Sequence, residues 1–545
     1  MIEQLGLSKI SLRGVLESFH WIVLSIFFVY CIVDAVTVRR LRQKQLNTPF
    51  GNSPLTFVAP KFLLNLLFAG RAAELLQKGY ERFKHSAFHL IRNDGRIIVL
   101  PLSLLEELAA LPSRVANPQA ALEHDLLGHF TGLNLIVENR LHHSIVQRRL
   151  TPRLPLLIPR LEKAATDALE DSFPSAEAEE WIEFQPYQAL ALISARVAAD
   201  IIVGPAFCNN QVWLDISVKY TENLFRTIVI LRMFPNWTHS LICLTLPSYW
   251  AGRKNLDMAK QLLGPHIQNL IRRSDAGVWD PQEDNVDDMN LLNWLASMAK
   301  GQDRNPDVIS HVLVLVALAA VHTTLLRMVN VLYDVTAAGP ALQDEILDEI
   351  KFVAESGWES TLHKTPYDQL YRLDSVLRES QRLSPPTTLG LKRLFQEPYT
   401  FSNGIHVPAG TYVCLPIYAI ENDPEHILRP LEFDGLRSFR ARAEQPEGEL
   451  AGNDDVGRKL AAKELLFSTP TRTCLNFGYG KTACPGRFFA SVVVKLVLVK
   501  MLTGYEFAFL PGTGRPKNMM VHEFLFTWPW QKMLVRRKRE PSTPF

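Results

Sequence analysis

Cysteine is scarce in this chain, with six residues among 545: Cys31, Cys208, Cys243, Cys414, Cys474 and Cys484. So few, so scattered, exclude a disulfide framework and fit a reducing compartment. No second cysteine or histidine stands at zinc spacing beside Cys484, which argues against a tetrahedral structural metal site. Charge of one sign is lacking too. The formal net charge is +2 and the basic residues are not pooled into a stripe, so nothing points to nucleic acid. A glycine-rich dinucleotide fingerprint between a strand and a helix is absent. Beyond about residue 60 there is neither a repeat nor a low-complexity linker long enough to divide domains.

What is present begins with an apolar N-terminus. Ser18 to Val33 carries no formal charge, and the apolar character continues past Asp34 to Val38. That is roughly the 20 residues a membrane span needs. Trp21 and Tyr30 are interfacial aromatics, and Arg39, Arg40, Arg42 and Lys44 follow at once. The positive-inside rule then puts the rest of the chain in the cytosol. A cleaved signal or a buried helix is the competing reading. We expect a retained anchor with its basic stop over 1–45 and a proline-rich hinge over 46–60.

The body, 61–545, reads as one large, mostly α domain with small β-sheets. Helical periodicity covers 61–84, 119–133, 155–170, 186–204, 215–235 and 255–273, while strand-like runs are short, at 97–100, 399–401, 412–417 and 524–528. Asn305-Pro306-Asp307 predicts the start of a long apolar helix reaching about Val335: an N-cap, a proline at N1 and an acid in the first turn. A helix apolar all round belongs in a protein interior or a membrane, and His311, His322, Thr323 and Arg327 favour the interior. Thr365 to Asp368 resembles a capping box for a further helix, in which Asp374 and Arg378 are spaced to pair.

Chemistry concentrates in one loop, Phe477-Gly-Tyr-Gly-Lys-Thr-Ala-Cys484-Pro-Gly-Arg, followed by an apolar helix to about Leu502. A lone thiolate at a helix start suits an axial ligand for haem iron, a ligand that favours O–O cleavage. In the central helix Ala319 and Ala320 share the face of Thr323. Small residues beside a hydroxyl leave room for a flat cofactor and a diatomic ligand, although a buried Thr bonding its own helix is the commoner arrangement. Glu379 and Arg382 lie three apart on one helix face, and Arg437 follows in an irregular aromatic stretch.

In this order, these segments resemble the cytochrome P-450 family of haem-thiolate monooxygenases over nearly the whole chain. Phe477, Gly480, Cys484 and Gly486 match the family's cysteine motif. Glu379, Arg382 and Arg437 match its buried structural network, and Ala319 to Thr324 its oxygen-binding motif. The resemblance implies haem b on Cys484, with Thr323 and His322 in oxygen activation, where His322 replaces the usual acid. Thr482 replaces the usual cation of the loop, beside Lys481. His143 and Gln147 stand where the family has Trp-x-x-x-Arg, so His143, Arg148 and Arg393 are candidates for the haem propionates. Electrons must come from outside the chain, which implies an NADPH-dependent reductase in the same endoplasmic reticulum membrane. Ala319 to Thr324, Leu150-Thr-Pro-Arg-Leu154 and the cysteine loop resemble filamentous-fungal members, including ent-kaurene oxidase-like, indole-diterpene and meroterpenoid enzymes, implying an apolar terpenoid substrate and O₂. Thr387 to Leu389, Leu315 to Leu318 and His522 to Leu525 are candidate pocket residues. An isomerase or dehydratase without external electrons, or a haem-thiolate sensor, remain the alternatives.

Overall fold

A computed structural model of the chain describes residues 61–92, 95–135, 141–173, 180–282, 285–358, 365–443 and 463–539, with part of a helix between 21 and 36. The hinge at 46–60 lies outside the described residues, as does most of the expected anchor. Of the latter, residues 21, 25, 28–33 and 36 are described and are helical.

The longer helices are α1 (Lys61–Arg82), α2 (Pro118–Asp125), α3 (Thr151–Ser172), α4 (Pro186–Ile202), α5 (Gln211–Arg232), α6 (Pro247–Asp275), α7 (Leu291–Met298), α8 (Pro306–Ala338), α9 (Pro340–Glu355), α10 (Tyr371–Leu383) and α11 (Arg487–Gly504). The central helix is α8. Asn305 caps it by accepting from the Asp307 N–H, and Gly339, at φ 89°, ends it before Pro340. It is long and apolar enough to cross a membrane, yet 67% of its most apolar window is buried inside the protein. It therefore forms the core, packed against α4, α6, α10 and α11. The helix expected over 119–133 is broken: α2 ends at Asp125, and Leu127 turns left-handed at φ 51° before a short turn.

The strands are β1 (Phe88–Arg92), β2 (Gly95–Val99), β3 (Ala116–Asn117), β4 (Ile182–Phe184), β5 (Gly390–Phe395), β6 (Tyr399–Thr400), β7 (His406–Val407), β8 (Tyr412–Leu415), β9 (Tyr505–Phe509), β10 (Met519–Val521), β11 (Phe524–Phe526) and β12 (Met533–Arg537). The main sheet runs β1-β2-β8-β5-β3, with β2 and β8 parallel. Against β8, the register of β5 slips between Gly390 and Arg393, and Leu391 there is left-handed at φ 46°. Bulges of this kind re-aim side chains beside functional sites.

Two sequence expectations need correction. The capping box is real, but it closes the 3₁₀ turn Pro366–Gln369; Leu370 leaves helical geometry, so α10 starts at Tyr371. Asp374 and Arg378 do not pair. Asp374 is buried and takes the Phe467 N–H at 2.6 Å and the Lys495 ammonium at 2.5 Å, while Arg378 donates to the carbonyls of Leu466 and Thr469. A buried carboxylate is held by the partners that enclose it, and here those lie on other segments.

The expected network is present. Arg382 grips Glu379 with two bonds, 2.9 and 2.6 Å, and Arg437 adds a third at 3.2 Å. Arg382 also bonds Asn422, at 2.6 Å, and the Pro430 carbonyl. Glu379 is 3% exposed, so removing it strands a buried guanidinium. We expect Glu379→Ala to cost about 3–5 kcal/mol, seen as lost soluble holoprotein and an earlier denaturation midpoint. Asp434→Ala, which keeps the Glu379–Arg382 pair, should cost much less.

Candidate active site

The cysteine loop is built by backbone constraint. Gly478 and Gly480 have φ of 80° and 60°, and a Cβ on Gly478 would sit 3.3 Å from the Thr482 carbonyl oxygen. These left-handed turns let the Cys484 N–H close the loop onto the Phe477 carbonyl at 2.7 Å. Glu421 pins the loop's entry, accepting from the Leu475 N–H at 2.5 Å and the Asn476 amide at 2.6 Å. Burial pushes the Glu421 carboxyl up to about 7. Phe477 packs edge-on against Phe467, and Gly486 caps α11.

Cys484 is exposed, although Ala483 before it is buried. Burial raises its thiol, whereas the Gly486 and Arg487 N–H groups and the Arg487 charge pull in the opposite direction. Those helix-start donors are what would hold a thiolate once a cation bound it.

Facing the loop is the one gap in α8. Ala319 and Thr323, one turn apart, are exposed in a helix otherwise largely buried. A cavity of about 1050 Å³ separates the two elements, lined by Leu318, Ala319, His322 and Thr323 on one side and by Gly478 and Thr482 on the other. Pockets for single ligands reach roughly 1,000 Å³, so this space suits a flat cofactor with a substrate above it. The Thr323 hydroxyl donates to the Ala319 carbonyl at 2.7 Å, so it bonds its own helix and lines the cavity at once. Thr324 points away, to Ser194 on α4 at 2.7 Å. His322 is 7% exposed and neither ring nitrogen has a partner among the described residues. Burial pulls it down to about 4, so it is neutral at physiological pH.

The structure gives a reason for Thr482. Arg393, aimed by the bulge in β5, donates to the Thr482 hydroxyl at 2.9 Å and to the Lys392 carbonyl. The guanidinium is 3% exposed, and among the described residues no carboxylate pairs with it. Burial lowers it to about 10, which still leaves it charged. A buried cation with neutral acceptors only, at the cavity wall, fits the carboxylate edge of haem. A cation thus stands beside Thr482, brought there by the sheet rather than by the loop. Of the other candidates, Arg148 is exposed, His143 is half-buried, and neither lines the cavity.

Thr387, Leu389, Leu318, Phe524 and Leu525 line the cavity as expected; Leu315, Thr388, His522 and Glu523 do not. Leu214, Val218, Phe225 and Val229 of α5 also line it and were not singled out from the sequence. Their spacing, one apolar face of an amphipathic helix, was the available signal.

A fold of this kind, with a cysteine loop across from a cavity-lining threonine, defines a haem-thiolate oxygenase. The chain belongs to the cytochrome P-450 family, whose model matches residues 103–535. It is 32% identical to the cytochrome P-450 monooxygenase AN1598 of Emericella nidulans, over 94% of this chain and 92% of that protein. Similarity extends at 30% to an ent-kaurene oxidase of Gibberella intermedia, over 98% and 95% of the two chains. The cytochrome P-450 monooxygenase paxP of Penicillium paxilli is 32% identical over 88% of each. The protein is therefore a monooxygenase, and its cofactor is haem b carried on a cysteine thiolate.

Two outcomes follow for this site. A hydrogen bond to a charged group contributes about 1.5–3 kcal/mol, so Arg393→Leu should weaken haem retention tenfold or more, read as haem per protein after gel filtration. Arg393→Lys should recover part of it. The second concerns acid. His142, His311 and His322 are all pushed to about 4 by burial. Between about pH 6.5 and 4 the unfolded chain binds protons that the folded one refuses, so stability falls as pH falls through that window. Thermal melts across it should show a shallower fall for His322→Gln than for the wild type.

Proposed function

We propose that Cys484 is the axial ligand, and that the enzyme oxidises an apolar, terpenoid-derived intermediate of fungal secondary metabolism. Bound haem supplies activation of O₂ for insertion into a C–H bond. The chain's part is to hold, orient and protonate. The observation that carries this reading is the facing pair: the cysteine loop, whose Gly478 and Thr482 form one wall of the cavity and whose Cys484 is exposed, across from Ala319 and Thr323 on the opposite wall.

The Thr323 hydroxyl, which rests on the Ala319 carbonyl, would turn its single proton into the cavity when it serves as a donor there. His322 stands next to it, neutral and with both ring nitrogens unpaired. It holds a water or passes a proton where most relatives use an acid. Phe477, Gly480 and Gly486 shape the thiolate loop, Ala319 and Ala320 give the cofactor face its clearance, and Arg393 takes a propionate. His143 and Arg148 serve as further propionate contacts only if the cofactor's edge reaches them.

The substrate class rests on two supports. The cavity is walled mainly by Leu, Val, Phe and Ala side chains, and an ent-kaurene oxidase is among the relatives. Electrons come from an NADPH-cytochrome P-450 reductase. Residues 18–38 anchor the chain once in the endoplasmic reticulum membrane, its catalytic domain cytosolic. In support, Trp21, Phe28, Val29, Ile32, Val33 and Val36 are apolar, helical and exposed rather than packed.

Microsomes carrying the enzyme and a reductase, given NADPH, ¹⁸O₂ and a terpenoid panel, should yield labelled product. Conversion without NADPH would instead mean an isomerase. Cys484→Ala should abolish the thiolate-type Soret band of the ferrous–CO complex. Thr323→Ala should keep that band while product per NADPH drops about tenfold or more and peroxide rises.

A further inference from the structure

At the back of the cavity lies a largely buried group of charges that ligation and oxygen activation do not use; of its four members only Lys392 also lines the cavity. Asp125 ends α2, Arg232 ends α5, Lys392 lies in the bulge of β5, and Glu523 is in the turn between β10 and β11. Arg232 donates to both Glu523 oxygens, at 3.1 and 3.2 Å, and to Asp125 at 3.3 Å. Lys392 reaches Asp125 at 2.6 Å and Glu523 at 3.5 Å, and the Tyr412 hydroxyl donates to Asp125 at 2.6 Å. Asp125 and Glu523 are 1% and 0% exposed, and Arg232 is 6%.

Each of the four segments also contributes apolar side chains to the cavity wall, among them Leu122, Val229, Leu391 and Phe524. The charges meet that wall through Phe524. Its ring lies 5.4 Å from the Arg232 guanidinium and 5.3 Å from the Lys392 ammonium, and edge-on to Phe225 of α5. Backbone strain gathers here too. Of the four non-glycine residues with left-handed φ among the described residues, three are Leu127, Leu391 and His522. Each stands within two positions of one of the four charges. Such conformations persist only where their surroundings over-determine them.

We propose that Asp125, Arg232, Lys392 and Glu523 form a clamp that fixes the shape of the substrate cavity. It holds α2, α5, β5 and the β10–β11 turn in one arrangement and sets the Phe524 ring from behind. The four are positioning residues: they select a bulky ligand by shape, without touching the cofactor. Because both cations are engaged by carboxylates, this stretch of the wall, around Phe524, presents hydrocarbon and a ring face, while charged side chains such as Arg393 and Arg226 line other parts of the cavity. The clamp thus also makes neutral polycycles the accepted class. Buried ion groups of this kind specify an arrangement more than they add stability, and apolar residues of like volume often replace them at little cost.

The inference rests on the haem-thiolate reading, and its test separates the two. Haem-loaded protein is titrated spectrally with imidazole, which needs only the iron, and with clotrimazole, which needs the cavity. Glu523→Gln should loosen clotrimazole about tenfold, equivalent to about 1.4 kcal/mol, and leave imidazole unchanged. Should that variant fail to fold, the quadruple variant Asp125→Leu, Arg232→Met, Lys392→Met and Glu523→Met decides. It should keep the wild-type ferrous–CO band and a similar melting temperature, yet lose the preference for clotrimazole over imidazole. An unchanged clotrimazole-to-imidazole ratio in either folded variant would overturn the clamp. A wild-type protein without a thiolate-type CO band would instead sink the haem-thiolate reading.

Discussion

A helix can run through the middle of a protein only if every polar group it carries finds a partner there. α8 obeys this almost everywhere. Thr324 bonds Ser194 and its own backbone, Asn330 bonds Leu326 and Thr527, and Arg327 bonds Ser380 and the Ser384 carbonyl. Thr323 satisfies itself on Ala319 and still faces open space. His322 alone in this stretch has both nitrogens unpaired. The Tyr333 hydroxyl and one His311 nitrogen of α8 are also without a partner among the described residues, but of these side chains only His322 stands at the cavity wall.

The same reasoning explains the cation. Arg393 is buried with two neutral acceptors, a costly state unless an anion completes it. Glu379, Asp374 and Glu349 are buried as well, but each is met by guanidinium, ammonium or N–H donors from several segments. Two kinds of buried charge are therefore distinguishable. Those already neutralised brace the fold. Arg327 and Arg393 bond neutral acceptors only, and of the two Arg393 alone lines the cavity, where an anion from outside the chain could complete it. The threonine in the cysteine loop is then no defect: a small hydroxyl leaves room for an arginine arriving from β5 and orients it.

How much of this was legible beforehand depended on sequence distance. The central helix, its cap, the cysteine loop and the Glu379–Arg382 spacing are local patterns, and the structure has each of them. The match between Arg437 and Glu379, 58 residues apart, came through family resemblance rather than periodicity. Local reasoning failed where a tertiary partner outbid a neighbour. Asp374 was expected to take Arg378 one turn away and instead takes Lys495, because burial rewards the partner that encloses the carboxylate. Strands of two or three residues such as β3 and β10 carry too little alternation to read, and the break at Leu127 was announced only by Gly128 just after it, a glycine that a helical reading of 119–133 tolerates.

The charges behind the cavity were illegible for a stronger reason. Asp125, Arg232, Lys392 and Glu523 are dispersed over some 400 positions, and each alone looks like a solvated surface residue. Only the fold brings them together, and it does so with left-handed residues beside three of them. That arrangement is hard to account for as stability alone, since desolvating four charges is unfavourable and the strained backbone adds to it. It is easier to account for as geometry. A cavity walled by apolar side chains from four distant segments has no directional bonds of its own, and hydrophobic contacts tolerate sliding. On the clamp proposal, directional ion pairs at the back of that wall supply the missing orientation, each cation there being engaged by a carboxylate. Cofactor contacts and cavity shape then fall to largely different side chains, joined in β5 where Arg393 donates to the Lys392 carbonyl.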